Sequence, residues 1–360
     1  MKKIFITSKS MIIGGIEKSL IAVLNTIDYS KYEVTLLLEE RVGPLLNDIP
    51  SSVKVIEYKP KVNGNILIRK IKNRLKLISF ILKHKNRYDV VINFTPYTLV
   101  SYKIIEHISK NTYVWTQTDY TKIYTKEELD NFLNKRNFKK IKNLVFVSNA
   151  SMKNFEVMYP RKEKNYLVCR NFMPANNIIK KSKESINYKK DNCFTFLNVS
   201  RHEEDSKKIS RIIEASLKLK QENLKFKVLL IGNGVDTLYY KDLVKKYNLE
   251  EYVIFLGEIS NPLPYYLITD SFIITSDYEG GPITMFEAFI LNLPVITTDV
   301  GDALIYFKQN GILIEKNVDS LIKAMKKMIT ENKKYRIEFD AISYNNEIKN
   351  TLESIISGDA

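Results

Sequence analysis

Short apolar runs rich in β-branched residues alternate with helical stretches along almost the whole chain, and that alternation leaves few choices of fold. Residues 3–7, 33–38, 53–56, 90–93, 113–115 and 144–148 read as strands in the first half. Residues 193–199, 227–231, 252–255, 272–275 and 295–297 repeat the pattern in the second. Helical stretches between them, such as 16–26, suit crossover connections, so consecutive strands should run parallel. Between the two series, PANNIIKKSKESINYKKDN (174–192) is polar and lysine-rich and reads as a linker. The expected arrangement is two α/β domains, 1–173 and 193–340, followed by a C-terminal segment, 341–360, that is helical from about residue 344.

At 360 residues the chain can build two cores, and its 44% hydrophobic content argues against disorder. The N-terminus enters a strand pattern at once and no apolar run approaches membrane-spanning length, so neither a signal peptide nor a membrane span is expected. Two cysteines, Cys169 and Cys193, make no disulfide framework and no metal-ligand spacing, which fits a reducing cytoplasm. The net charge of +15 is lopsided. Residues 1–172 hold 31 Lys+Arg against 15 Asp+Glu, and the remainder 25 against 26, so the first half should face something anionic. Residues 59–87 carry ten of those cations and no acid. Leu67, Ile71, Leu75, Ile78 and Leu82 recur there at helical spacing. The expectation is a helix whose apolar stripe packs on the sheet while its basic face meets anionic lipid at the inner face of the cell membrane. A nucleic-acid-binding protein would carry its charge through both halves, and the neutral second half argues against one.

The chemistry concentrates in SDYEGGPITMFEA, residues 276–288. An apolar strand precedes it, Pro282 suits the first turn of a helix, and PVITT (294–298) forms the next strand. Such a β–turn–α–β unit places its turn at the carboxyl end of a parallel sheet, where ligands bind. Glu279 and Glu287 bracket the helix start; each carboxylate can accept two hydroxyl donors, as a sugar or ribose would offer. Taken alone, the pair reads equally as a loop charge and a helix-dipole charge. Gly14-Gly15 after the first strand, Gly232-Asn-Gly234 after the strand ending at Ile231, and Phe255-Leu-Gly257 are similar turns of low specificity. Glycines there would allow positive φ or close approach to a ligand. Arg201 and Lys207, near the end of 193–199, read alone as a surface cluster with Glu203, Glu204 and Asp205. No Asp-x-Asp pair occurs anywhere.

The string SDYEGGPITMFEAFILNLPVITTDVG resembles the signature of family-4 retaining glycosyltransferases, S-x-x-E-G-x-P-x-x-x-x-E-A followed by G-x-P-V-I-x-T-D-x-G. Asn292 stands at the usual glycine before Leu293-Pro294, and Gly281 replaces a bulkier residue. The resemblance implies a GT-B fold, two Rossmann-like domains with parallel sheets facing across a cleft, and a C-terminal helix packed back on the first domain. It also implies a hexosyl- or N-acetylhexosaminyltransferase that uses a nucleotide diphosphate sugar, UDP-linked, as co-substrate. No separate cofactor or metal is implied, and the acceptor would be a lipid-linked or surface glycan. In that reading Glu279 contacts the donor sugar and Glu287 the ribose, while the Gly280-Gly281-Pro282-Ile283-Thr284 turn supplies amides. Arg201 and Lys207 match the family's R-x4-5-K pair at the diphosphate, with Lys208 where glycine is common; a register using Lys208 stays open. Gly14 and Gly15 match the N-terminal loop GG-x-E-x-x-L that faces diphosphate and acceptor, and Gly232 and Gly234 the loop beside the nucleotide. VWTQTDY (114–120) resembles the W-x-H-x-D-Y element of capsule transferases, with Gln117 in place of histidine. Gln117 can hydrogen-bond a sugar but carries no proton. Asp119 reads equally as a contact or as a helix cap. A nucleotide-sugar epimerase of the same fold is the alternative activity.

Overall fold

The structure, a computed structural model, describes residues 1–161, 164–307, 310–331, 335 and 337–360. It divides into two compact units, residues 1–172 with 345–360 and residues 173–344. The first is built on a seven-stranded sheet of β1 (Lys2–Ser8), β2 (Tyr32–Leu38), β3 (Lys54–Glu57), β4 (Val90–Asn93), β5 (Thr112–Thr116), β6 (Asn143–Phe146) and β7 (Asn165–Val168). The second has six strands: β8 (Phe194–Val199), β9 (Phe226–Ile231), β10 (Val253–Gly257), β11 (Ser271–Ile274), β12 (Val295–Thr298) and β13 (Gly311–Ile314). Every pairing is parallel.

Inner strands are apolar at consecutive positions because both faces are covered: Ile4, Phe5 and Ile6 of β1, and Phe272 and Ile273 of β11, have no exposed surface. The first core gathers Phe5, Val91, Ile104, Phe146 and Phe155; the second gathers Phe196, Ile213, Leu230, Ile273 and Met325. The strand order is β3-β2-β1-β4-β5-β6-β7 in one sheet and β10-β9-β8-β11-β12-β13 in the other. The direction of winding therefore reverses between β1 and β4, and again between β8 and β11. Side chains at the carboxyl ends of those four strands sit where open α/β sheets bind ligands.

β7 and β13 are edge strands of four residues each that the sequence pattern did not reveal. Each is short and little buried: β7 buries only Tyr166 and β13 only Ile314. The polar stretch after residue 173 is more ordered than a linker. Ala175–Ser182 is a helix that buries Ile178, and Asn261 Nδ2 donates to Lys181 O at 2.8 Å. The C-terminal helix, Ala341–Ser357, ends in the first unit. There Lys2 Nζ donates to Ser357 O at 2.8 Å and Tyr113 hydroxyl to Ala360 O at 3.1 Å.

The basic helix is present as Ile66–His84, with Asn65 capping its first turn, but its orientation reverses the expectation. Its half-buried residues are Arg69, Asn73, Leu77, Phe80, Ile81 and His84. Asn73 is bonded to the Lys61 backbone, and the Phe80 ring stacks on His84 at 4.4 Å and meets Tyr58 edge-on at 5.0 Å. Leu67, Ile71, Leu75, Ile78 and Leu82 are exposed, and no residue of the helix is fully buried. Aromatic residues at 80 and 84 fill the sheet-side position, which turns the aliphatic stripe outward.

Candidate active site

The turns after β8 and β11 are stitched together by backbone-directed bonds. Thr275 Oγ1 donates to the carbonyls of Lys207 (2.9 Å) and Lys208 (3.1 Å), and the Asp277 amide donates to Ser206 O at 2.9 Å. Arg211 Nη1 donates to Thr275 O at 2.9 Å and to Asp277 Oδ1 at 2.6 Å. Thr298 at the end of β12 donates to Ser276 O at 2.6 Å. The consequence is that Lys207 and Glu279 meet: Lys207 Nζ donates to Glu279 Oε1 at 2.6 Å, and Ser276 Oγ to the same oxygen at 2.8 Å. The Ser-x-x-Glu spacing thus has a physical reason, since a serine three residues back closes onto the carboxylate. Both charged side chains are mostly screened from solvent, each 19% exposed. Among the described residues nothing donates to Glu279 Oε2, and an ammonium has three hydrogens, so both partners retain bonding capacity.

Lys208 takes a different place. Its φ is +52°, the left-handed region that favours glycine, and its Nζ lies 3.9 Å from carboxylate oxygens of Glu204 and Asp277. Asn292 is also left-handed, at φ +58°. The two positions where this chain departs from a family glycine are therefore both positions where the backbone needs positive φ. Arg201 is exposed, and its side chain makes no hydrogen bond or ion pair among the described residues. The surface cluster of Arg201 and Lys207 with Glu203, Glu204 and Asp205 does not form: Glu204 instead accepts from Ser210 Oγ (2.7 Å) and Tyr240 hydroxyl (3.0 Å).

Glu287 is 4% exposed, inside the helix Ile283–Ile290. Its Oε2 accepts from the Tyr266 hydroxyl at 3.1 Å. Tyr266 is buried and stacked on Phe272 with ring centroids 5.1 Å apart. Burial, reinforced by the neighbouring Glu287 carboxylate, holds its phenol well above the ordinary tyrosine pKa, so it stays a donor. Pro282 sits at the N-cap rather than inside the first turn, and its side chain caps nothing. The Ile283 amide is already bonded to Gly281 O at 2.9 Å, which removes one of the turn amides from the set available to a ligand. Gly280 is buried, while Gly281, Ile283 and Thr284 are half-buried. Gly301, φ +57°, packs against this turn: a Cβ there would lie 3.0 Å from Gly280 O. That close approach ties the two halves of the sequence signature together.

Gly232 and Gly234 pack tightly against backbone. A Cβ on Gly232 (φ +140°) would fall 1.9 Å from Ser200 O, and one on Gly234 2.2 Å from His202 O. This loop is thereby pressed onto the turn that carries Arg201. His202, unremarked in the sequence, is fully buried beneath it, with Nδ1 3.0 Å from Thr237 Oγ1 and Nε2 without a partner among the described residues. Burial and the Lys241 charge lower its pKa, so the ring is held neutral. In the first unit, Gly14 is extended (φ −166°) at the N-cap of Gly15–Thr26, so positive φ is not what it supplies. A Cβ there would lie 2.4 Å from Glu17 Oε2, so the glycine makes room for that carboxylate. Gln117 is half-buried and donates to Phe94 O at 3.0 Å. Asp119 is a helix cap: it accepts from the Thr121 amide (3.1 Å) and hydroxyl (2.6 Å), while its other oxygen accepts from Asn154 (2.8 Å). The cap belongs to the short turn Tyr120–Ile123.

Two parallel-sheet α/β units of this topology define the GT-B class of fold. Anabaena HepE, solved in complex with UDP and glucose, superposes over 98% of this chain and 100% of its own with a TM-score of 0.76 at 18% identity. Residues 179–344, the segment holding Arg201, Lys207, Glu279 and Glu287, match the family Glycosyl transferases group 1. A capsular polysaccharide biosynthesis glycosyltransferase of Staphylococcus aureus, CapH, is 27% identical over 199 residues, 53% of this chain and 53% of its own length. An uncharacterized glycosyltransferase of Methanocaldococcus jannaschii is 32% identical over 106 residues, 29% of this chain and 26% of its own. The chain thus matches about half or less of the length of these two relatives.

Proposed function

We propose that the protein is a retaining, metal-independent glycosyltransferase. It moves a hexose or N-acetylhexosamine from a UDP-linked sugar to a lipid-linked or surface glycan in capsule or related polysaccharide synthesis. It works as a peripheral protein on the cytoplasmic face of the membrane, with its basic first half toward anionic lipid. The observation that carries the reading is the convergence of Lys207, Ser276 and Glu279 at the ends of β8 and β11, beside a helix that buries Glu287. The group 1 match over this segment and the UDP and glucose of the Anabaena structure support the donor class.

In this reading Glu279 accepts a hydroxyl of the donor sugar through Oε2, and Glu287 takes the ribose. Lys207 uses its remaining hydrogens, with Arg201, to neutralise the diphosphate. As the bond from the anomeric carbon to the phosphate oxygen breaks, charge grows on that oxygen, and fixed cations there lower the barrier. The acceptor hydroxyl attacks from the same face, forms the new glycosidic bond and passes its proton to the departing phosphate. A carboxylate already bonded to Lys207 and Ser276 suits a hydrogen-bond acceptor better than a covalent nucleophile. With no Asp-x-Asp pair in the sequence, the two cations take the role that a divalent ion has elsewhere.

A panel of nucleotide sugars tests this by thermal shift and nucleotide release, with and without EDTA. One or a few UDP-sugars should raise Tm, with nucleotide release accelerated by a glycan acceptor and insensitive to the chelator. No response to any donor would overturn the enzyme reading. Conversion of the donor sugar without an acceptor would favour an epimerase instead.

A further inference from the structure

The Ile66–His84 helix shows an arrangement that packing within the chain does not account for. Leu67 is 72% exposed, Leu82 68%, Ile71 and Leu75 61% each, and Ile78 45%. At 100° per residue these five occupy an arc of about 80°, centred about 150° around the helix from the face that meets the sheet. Lys70 and Arg74 flank one side of the arc, and Lys72 and Lys83 the other; all four are exposed. An aliphatic stripe between two basic rows matches an interface with hydrocarbon below and phosphate at the edges, where long basic side chains reach outward.

We propose that this helix lies in the plane of an anionic bilayer, with Leu67, Ile71, Leu75, Ile78 and Leu82 inserted among the acyl chains and the four cations against lipid phosphates. The inference rests on the membrane-facing half of the proposed function and is independent of its chemistry. It changes the mode of attachment from surface electrostatics to insertion. The helix does not cross the bilayer: among the described residues no helix is long and apolar enough. A second copy of the chain is the poorer occupant, because stripe-to-stripe pairing would bring two sets of like charges together. No acid lies between residues 59 and 87 to relieve that repulsion.

The test uses the full chain and flotation with vesicles of phosphatidylcholine alone or with about one-third phosphatidylglycerol. The wild type should float with the anionic vesicles. The double variant Ile71→Asp/Leu75→Asp should partition at least about tenfold less, because two charges replace inserted aliphatic groups. The quadruple variant Lys70→Gln/Lys72→Gln/Arg74→Gln/Lys83→Gln should lose the preference for anionic lipid. In Leu75→Trp, anionic vesicles should shift the indole emission to the blue, which surface adsorption alone would not do. All these positions are solvent-facing, so circular dichroism and the donor-induced thermal shift should match wild type; this separates loss of docking from loss of the donor site. Wild-type protein left unbound, an aspartate variant floating unchanged, or an unshifted Leu75→Trp spectrum would each overturn the proposal. So would a dimer in sedimentation that the aspartate variant abolishes without any flotation of the wild type.

Discussion

The two sheets reverse their winding at equivalent places, yet the side chains gathered there differ in kind. At the ends of β1 and β4 the groups are neutral and mostly bonded to one another, although the buried Asn93 Nδ2 has no partner among the described residues. Ser8 and Thr95 hydroxyls lie 2.8 Å apart, and Thr7 Oγ1 donates to Asn93 Oδ1 at 3.0 Å. The nearby charge, Glu39, is consumed internally, accepting from the Ser101 amide at 3.1 Å and hydroxyl at 2.7 Å, and from Thr98, at the start of the helix Leu99–Ile108. At the ends of β8 and β11, by contrast, Arg201 has no side-chain partner among the described residues, and Lys207 and Glu279 hold each other with bonding capacity to spare. One topology therefore carries two kinds of polar cluster. In the first unit the polar groups are neutral and mostly bonded within the fold; in the second they are charged and keep bonding capacity.

That contrast can be broken by exchanging where the charges matter. Lys207→Met and Glu279→Gln should each lower kcat/KM by about 10²–10³-fold, the scale of losing one oriented electrostatic contact at a developing charge. Steady-state kinetics with the donor found in the panel would show it, and near-wild-type rates would dissolve the distinction. Asp119→Ala, in the first unit, should instead lower stability by about 1–2 kcal/mol through loss of a cap and leave kcat within about twofold. A large kinetic effect with unchanged Tm would return Asp119 to the list of substrate contacts. Tyr266→Phe strips a hydrogen bond from the buried Glu287, and donor KM should rise by about three- to tenfold with little change in kcat. The smallest effect belongs to the left-handed positions. Asn292→Gly should stabilise by at most about 1 kcal/mol in a urea melt, whereas Asn292→Val should destabilise by more than that.

The strands and the turn after β11 are legible in the sequence, whereas the contrast between the two polar clusters is not. Consecutive apolar residues marked the inner strands, and the spacing of serine, glycine, proline and two glutamates marked the turn after β11. The Lys207–Glu279 bond was not readable, because it depends on β8 lying beside β11 and on Thr275, Asp277 and Arg211 pinning one turn to the other. Tyr266 escaped for a similar reason: a buried tyrosine in PLPYYLI looks like core until its hydroxyl is seen to face Glu287. Of the two reasons the sequence offers for a glycine at residue 14, positive φ is not used, and the residue leaves room for Glu17. The basic helix shows the sharpest limit. Periodicity reveals that Leu67, Ile71, Leu75, Ile78 and Leu82 share a face, but not what medium that face meets. Here Phe80 and His84 occupy the sheet side and leave the aliphatic face free.

The central claim is that two carboxylates of one turn–helix unit read two parts of one donor. Calorimetric titration of wild type, Glu279→Gln and Glu287→Ala with UDP and with the preferred UDP-sugar tests it directly. The account predicts that Glu279→Gln keeps its affinity for UDP but loses the gain that the sugar confers, while Glu287→Ala weakens both ligands alike. Equal loss for UDP and UDP-sugar in Glu279→Gln, or wild-type binding of both by Glu287→Ala, would contradict it.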